Sequence, residues 1–186
     1  MIEAGLEPRN KANPYRKRIN REPSPLLANG VPYATIMLAS LLPLLLIADS
    51  MPVLPPLGFL MLVGWRLMRP GLLPSWAGLP LGAFDDLVSG QPFGSAILLW
   101  SIAMLAIEWL ESRMPWRGFW QDWLVAAVAA SAYILVSSAV SGAKLSLALA
   151  GVVLPQIGLA LILIPAMAGM IAWFDRLRLQ RIRRVK

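Results

Sequence analysis

The sequence predicts an all-α membrane protein of about six transmembrane helices, some of them short and broken by proline. Three observations predict it. Of the 186 residues, 58% are hydrophobic and only 15% are charged, too apolar for an ordinary soluble domain. Apolar runs recur along the chain, separated by short stretches rich in Pro, Gly or charge. Positive charge is concentrated at the two ends and in alternate connections, as membrane topology favours.

Residues 1–30 are polar and basic, with Arg9, Lys11, Arg16, Lys17, Arg18 and Arg21. Pro8, Pro14, Pro23 and Pro25 oppose a stable helix, so these residues read as a disordered basic tail. No cleavable signal peptide is apparent, and the first span reads as an uncleaved anchor. The membrane domain is placed at 31–174. Residues 31–48 are long enough to cross most of a ~30 Å hydrocarbon core, and Pro43 is a place for a kink.

Residues 50–68 open on Pro52, Pro55 and Pro56. The clean helix there, Leu57 to Met68, is only about 18 Å long. Its Pro-rich entry can lie within the membrane only if protein shelters it. Residues 71–88 are similar, with Pro74, Pro80 and the small Gly78, Gly82 and Ala83.

Residues 94–110 make a clear helix ending in Glu108, Glu111 and Arg113. Residues 119–140 make another, and their many Ala and Ser predict a helix buried in the bundle. Residues 141–154 divide into a loop around Gly142, Lys144 and Ser146 and a short interfacial or re-entrant piece from Leu147. Pro155 then opens the last span, 156–174, as its first residue. Residues 175–186 form a second basic tail, amphipathic at its start and suited to anionic lipid headgroups.

Six crossings put both ends on one side, and the Lys and Arg residues agree. The proposed inner side holds six in the first thirty residues, Arg66 with Arg69, Arg113 with Arg117, and six after Asp175. Only Lys144 falls outside. Both termini are therefore expected in the cytoplasm. Trp65, Trp76, Trp109, Trp116, Trp120, Trp123 and Trp173 fall toward the inner ends of the spans, as an interfacial belt would.

The chain has no Cys and no His. Structural disulfides, thiolate chemistry and iron–sulfur sites are excluded, and the usual general base and commonest metal ligand are missing. There is no phosphate-binding G-x-x-x-x-G-K-[ST] loop and no G-x-S-x-G elbow. No cofactor is expected. Nucleic-acid binding is not expected either, because no groove-reading fold accompanies the basic tails.

The polar feature that needs a reason is Asp85-Asp86, at the outer end of the third span. One reading is a solvated turn, with an Asp side chain bonding the backbone of residues 89–94. The other is an anionic pocket for a partner, a proton or a cationic group, with Lys144 as the candidate counter-ion. Glu108 and Glu111 share a helix face at the membrane level of Arg66 and Arg69. A structural ion-pair cluster at the inner interface is expected there.

Gly82-x-x-x-Asp86-Leu87-x-x-Gly90-x-Pro92-x-Gly94 is similar to the signature that follows the third hydrophobic segment of the MreD family. MreD is the integral membrane subunit of the bacterial rod-shape, or elongasome, system. Trp65, Arg69-Pro70, the small size and the basic ends also fit, and the resemblance covers residues 31–174. Asp86 matches the family Asp, whereas Asp85 is an additional acid. The resemblance implies a fold similar to the substrate-binding subunits of energy-coupling-factor transporters. It implies a non-enzymatic scaffold of the inner membrane that regulates cell shape and peripheral peptidoglycan synthesis. The partners it implies are MreC, MreB through the complex, the RodA glycosyltransferase and the elongation-specific penicillin-binding transpeptidase. The residues read without the family leave an alternative open, the substrate-binding subunit of a vitamin-type transporter. That subunit would use an outward pocket drawn from Asp49, Asp85, Asp86, Ser89, Gln91, Lys144 and Gln156.

Overall fold

The computed structural model describes residues 21–22, 25–45, 54–114, 118–142, 147–178 and 183–184. The tail expected at residues 1–20, and the roles expected of Asp49, Trp116, Arg117 and Lys144, lie outside the described residues. Among the described residues six α-helices carry the fold: α1 (Pro25–Leu45), α2 (Leu57–Met68), α3 (Gly78–Ser89), α4 (Ser95–Arg113), α5 (Phe119–Val140) and α6 (Leu147–Arg178). A 3-10 turn at Ser75–Ala77 leads into α3. One two-residue antiparallel pairing, β1 (Arg21–Glu22) with β2 (Arg183–Arg184), brings the two ends of the chain together.

Among the described residues, three helices are long and apolar enough to cross a membrane: α4, α5 and the Leu149–Arg178 part of α6. At 1.5 Å per residue, α2 and α3, each of 12 residues, are only about 18 Å long. The short α2 is the centre of the molecule. Its sequence, LGFLMLVGWRLM, is apolar but for Arg66, and ten of its twelve residues are buried. A helix of that composition belongs inside a bundle. It is packed by α1, α4, α5 and α6, while α3 lies against α4 and α1.

The shelter that the Pro-rich entry requires is supplied by side chains. Gln156 Nε2 of α6 donates to the Leu54 carbonyl at 2.8 Å, so a chain segment without helical hydrogen bonds is still satisfied. Thr35 of α1 accepts a 2.9 Å hydrogen bond from Trp65 Nε1 and donates its own hydroxyl to the Pro32 carbonyl. Trp65 is fully buried. It is a core residue, not the interfacial anchor that its position along the chain suggested. Trp76, Trp109, Trp120 and Trp173 are exposed.

Four further expectations are corrected. α1 starts at Pro25, inside the segment read as a tail, because Pro is well tolerated at the first helical position. Helix α3 starts only at Gly78, since residues 69–77 are a turn and a 3-10 step. Helix α6 runs unbroken from Leu147 to Arg178 with Pro155 and Pro165 inside it. Its 32 residues span about 48 Å. Apolar helices tolerate an internal Pro where the surroundings re-satisfy the freed groups, so Pro155 does not mark a start. The Ala-rich α5 is also not the buried helix. Ala126, Ala127 and Ala130 face the bundle, but Leu124, Val128 and Leu135 on the opposite side are exposed.

Close backbone approach holds the bundle at its glycines. A Cβ on Gly82 would sit 2.7 Å from the Ala96 carbonyl oxygen, backbone that cannot yield cheaply. Gly82→Ala is therefore expected to destabilise the fold by about 1–3 kcal/mol. Gly158→Ala in α6 meets nothing within 4 Å and should raise stability by up to about 1 kcal/mol. Thermal unfolding of both variants in the same detergent checks the pair.

Candidate functional site

The α3–α4 corner builds the most complete polar site. Gly78, Gly82 and Asp86 are spaced by four and so lie along one face of α3. That face meets α4. A Cβ on Gly78 would lie 2.9 Å from the Trp100 carbonyl and the Ser101 nitrogen, as close as Gly82 comes to Ala96 and Ile97. The two helix backbones touch because both positions lack side chains.

One turn further on, Asp86 reaches the start of α4. Its Oδ1 accepts from Ala96 N at 2.8 Å and Ser95 Oγ at 3.2 Å. Its Oδ2 accepts from Gly94 N at 2.8 Å and Ile97 N at 3.2 Å. The first N–H groups of a helix have no partner within it. A carboxylate there meets both those donors and the positive end of the helix dipole. Asp86 thus caps α4 from the preceding helix.

The turn residues make this reach possible. Gly90 ends α3 in the left-handed region at φ 67°, and Gly94 precedes α4 at φ 99°. L side chains rarely adopt these angles. The Pro92 carbonyl accepts from Ser95 N at 3.0 Å, closing the turn. Every matched residue of the Gly82–Gly94 motif except Leu87, which is exposed, therefore has a structural role.

Both acids are buried, Asp85 at 7% exposure and Asp86 at 5%. That corrects the solvated-turn reading while keeping its essential bond, an Asp side chain to the turn backbone. Adjacent positions on a helix point in different directions, and Asp85 faces α1 and α5 instead of α4. Ser40 and Tyr133 are its neighbours there. Ser89 is exposed, and Gln91 Oε1 lies 3.4 Å from Ser95 Oγ.

The opposite end is built of arginines. Arg66 is buried at 4% exposure on α2. Its Nη1 donates to the Leu73 carbonyl at 2.9 Å and its Nη2 to Glu111 Oε2 at 2.8 Å. One guanidinium thereby ties α2 to the following turn and to α4. Arg69 pairs not with a glutamate but with Asp175 of α6. Asp175 also accepts from Arg178 Nε at 2.7 Å, and Arg178 stands over the Trp65 ring.

Glu108, expected in this cluster, is exposed. Asp175 and Arg178 were missed, although an acid and a base three apart on a helix share a face. A cavity of about 280 Å³ lined by Leu60, Gly64, Phe119, Trp123 and Ile164 also lies toward this end, away from Asp85. Among the described residues, no three His, Cys, Asp or Glu side chains cluster as metal ligands would.

Asp86→Ala leaves the Gly94, Ala96 and Ile97 N–H groups without their acceptor. It should cost about 2 kcal/mol, measured by thermal or denaturant unfolding in detergent. Arg66→Ala removes a buried charge that bonds two elements, and should cost about 3–5 kcal/mol. Arg66→Lys should recover only part of that, because a single ammonium does not reproduce the planar fork. Full recovery by Lys would show that charge alone matters there.

No family model, no curated protein and no solved structure matches the chain.

Proposed function

We propose that this chain is a non-enzymatic membrane scaffold, resembling MreD, that holds partner proteins of a bacterial cell-elongation complex in the cytoplasmic membrane. The observation that carries the reading is the use made of the signature residues. Gly82, Asp86, Gly90, Pro92 and Gly94 are spent on building a rigid helix–turn–helix corner. A motif used in this way maintains a shape, which is what a scaffold requires.

The outer faces of the long helices suit the same role. Leu98, Ile102, Leu105 and Trp109 recur at helical spacing on α4 and are each more than half exposed. Only 11% of the α6 span is buried inside the bundle. Without water, helices associate through packing, and such stripes give a partner helix a surface. In this reading α1 to α6 each correspond to one crossing, with the half-length α2 and α3 sheltered by the others. Both termini lie in the cytoplasm, where the basic tails meet anionic lipid, and the meeting of the two chain ends supports an even number of crossings. MreC is the first partner expected, with MreB, RodA and its penicillin-binding transpeptidase reached through the complex.

The absence of Cys makes single introduced cysteines unique handles. Cysteines at Ile102 or Leu105 should crosslink in membranes to MreC or to a synthase of the elongation complex, identified by mass spectrometry. Depletion should turn rod-shaped cells round. Rods that persist after clean deletion, with no second copy of the gene, would refute the proposal.

A further inference from the structure

Asp86 has four donors, and Asp85 beside it is buried without an ion pair among the described residues. The groups around Asp85 come from different helices. Ser40 of α1 lies beside its carboxyl but outside hydrogen-bond geometry. Tyr133 of α5 faces it, with Trp100 of α4 and Gln91 of the turn next to the phenol. Asp86 is the other charged group within reach. On α1 the only other titratable group described is Tyr33, about two turns away from Ser40 along the helix.

Ser40 Oγ, Trp100 Nε1 and Tyr133 OH are each buried with no hydrogen-bond partner. An unpartnered Ser40 hydroxyl beside the carboxyl, and an unpartnered Tyr133 phenol facing it with Trp100 Nε1 alongside the phenol, are costly in a helical bundle unless something completes them. The shape of the site limits what that can be. Phe59 stacks on Tyr133 at 4.4 Å and meets Trp100 edge-on at 6.1 Å, so aromatic rings close that wall. Gly58 lies under Ser40, where a Cβ would come within 2.0 Å of the hydroxyl. These walls suit a proton and a water molecule better than an organic ligand.

We propose that Asp85, Ser40, Trp100 and Tyr133 form a proton-binding site inside the bundle, with Asp85 carrying the proton and one water shared among the four. The two adjacent acids meet different partners. Asp86 faces donors only, which is the complement of a carboxylate. Asp85 has no such set, and a neutral carboxyl both donates and accepts. A water bridging these groups has the two to four polar partners that buried waters use. When Asp85 passes its proton to the shared water, the hydroxyls of Ser40 and Tyr133 rotate to donate to the new charge, so the site can give up and regain a proton without moving a helix.

The test is infrared spectroscopy of the full-length protein in lipid nanodiscs at neutral pH, with carboxyl-13C aspartate. A protonated-carboxyl band that shifts with the label and in heavy water is expected. It should vanish in Asp85→Asn, persist in the exposed-site control Glu108→Gln, and move in frequency in Tyr133→Phe and Ser40→Ala. Asp85→Asn, the neutral isostere, should fold with the wild-type melting temperature. Absence of the band in the folded wild type overturns the proposal, as does collapse of Asp85→Asn. Loss of the band on adding sodium or potassium at fixed pH assigns a metal-cation site instead and also overturns it. Because these readouts are spectroscopic, they stand or fall independently of any partner.

Discussion

The structure depends on one carboxylate placed at the start of a helix that is not its own. Asp86 closes the α3–α4 corner by accepting from Gly94, Ser95, Ala96 and Ile97. The N–H groups at a helix start have no partner within the helix, and those buried at Ser95 and Ala96 are expensive to leave unpaired. The glycines at 78 and 82 matter for the same reason. They bring α3 so close to α4 that a short acid side chain can reach. Small residues, positive-φ turn and acid are one device, and each is useless without the others.

The device at the opposite end has the reverse sign. Arg66 joins α2 to α4 and to the Leu73 carbonyl, while Asp175 gathers Arg69 and Arg178. Between the two polar ends runs the buried α2, half the length of a spanning helix. A central helix that short leaves its ends inside the bundle, where backbone groups need partners. Gln156 on the Leu54 carbonyl and Arg66 on the Leu73 carbonyl supply them, one at each end of the segment. Two polar side chains of this bundle are thus placed to serve the ends of a helix that stops inside it.

Much of this was legible in the residues. The bounds of α2 and α5 followed from apolar runs between Pro, Gly and charge, and Arg66 with Glu111 followed from their common membrane level. The need of the 50–68 segment for shelter by other helices was legible, but which helices cover α2 was not, because periodicity carries little information when nearly all positions are apolar. The continuity of α6 through Pro155 was missed because a local rule for Pro was weighed without the tertiary surroundings that satisfy the freed backbone. Asp86 was visible as an acid near a turn. Its bond to the turn backbone was expected and is made to Gly94 N, but the donors beyond it, Ser95 Oγ and the Ala96 and Ile97 N–H groups, were not, since backbone N–H groups belong to every residue but Pro. Ser40, Trp100 and Tyr133 carry no spacing signature, because they come together only in three dimensions.

The two adjacent acids show how helix geometry separates chemistry that sequence adjacency would join. Successive residues on a helix turn by about 100°. Asp86 therefore meets the row of N–H donors at the start of α4, and Asp85 meets hydroxyls from α1 and α5. Had the pair lain on an extended strand, the alternation would have sent one acid to each face with no shared wall of helices. On α3 both can be buried, and their difference comes from what each faces. An acid met by donors alone fixes a corner, and an acid met by groups that can both give and take a hydrogen bond remains free to change its proton. A corner that is structurally fixed is also the right support for a titrating neighbour, because the charge can then change while the frame around it stays in place.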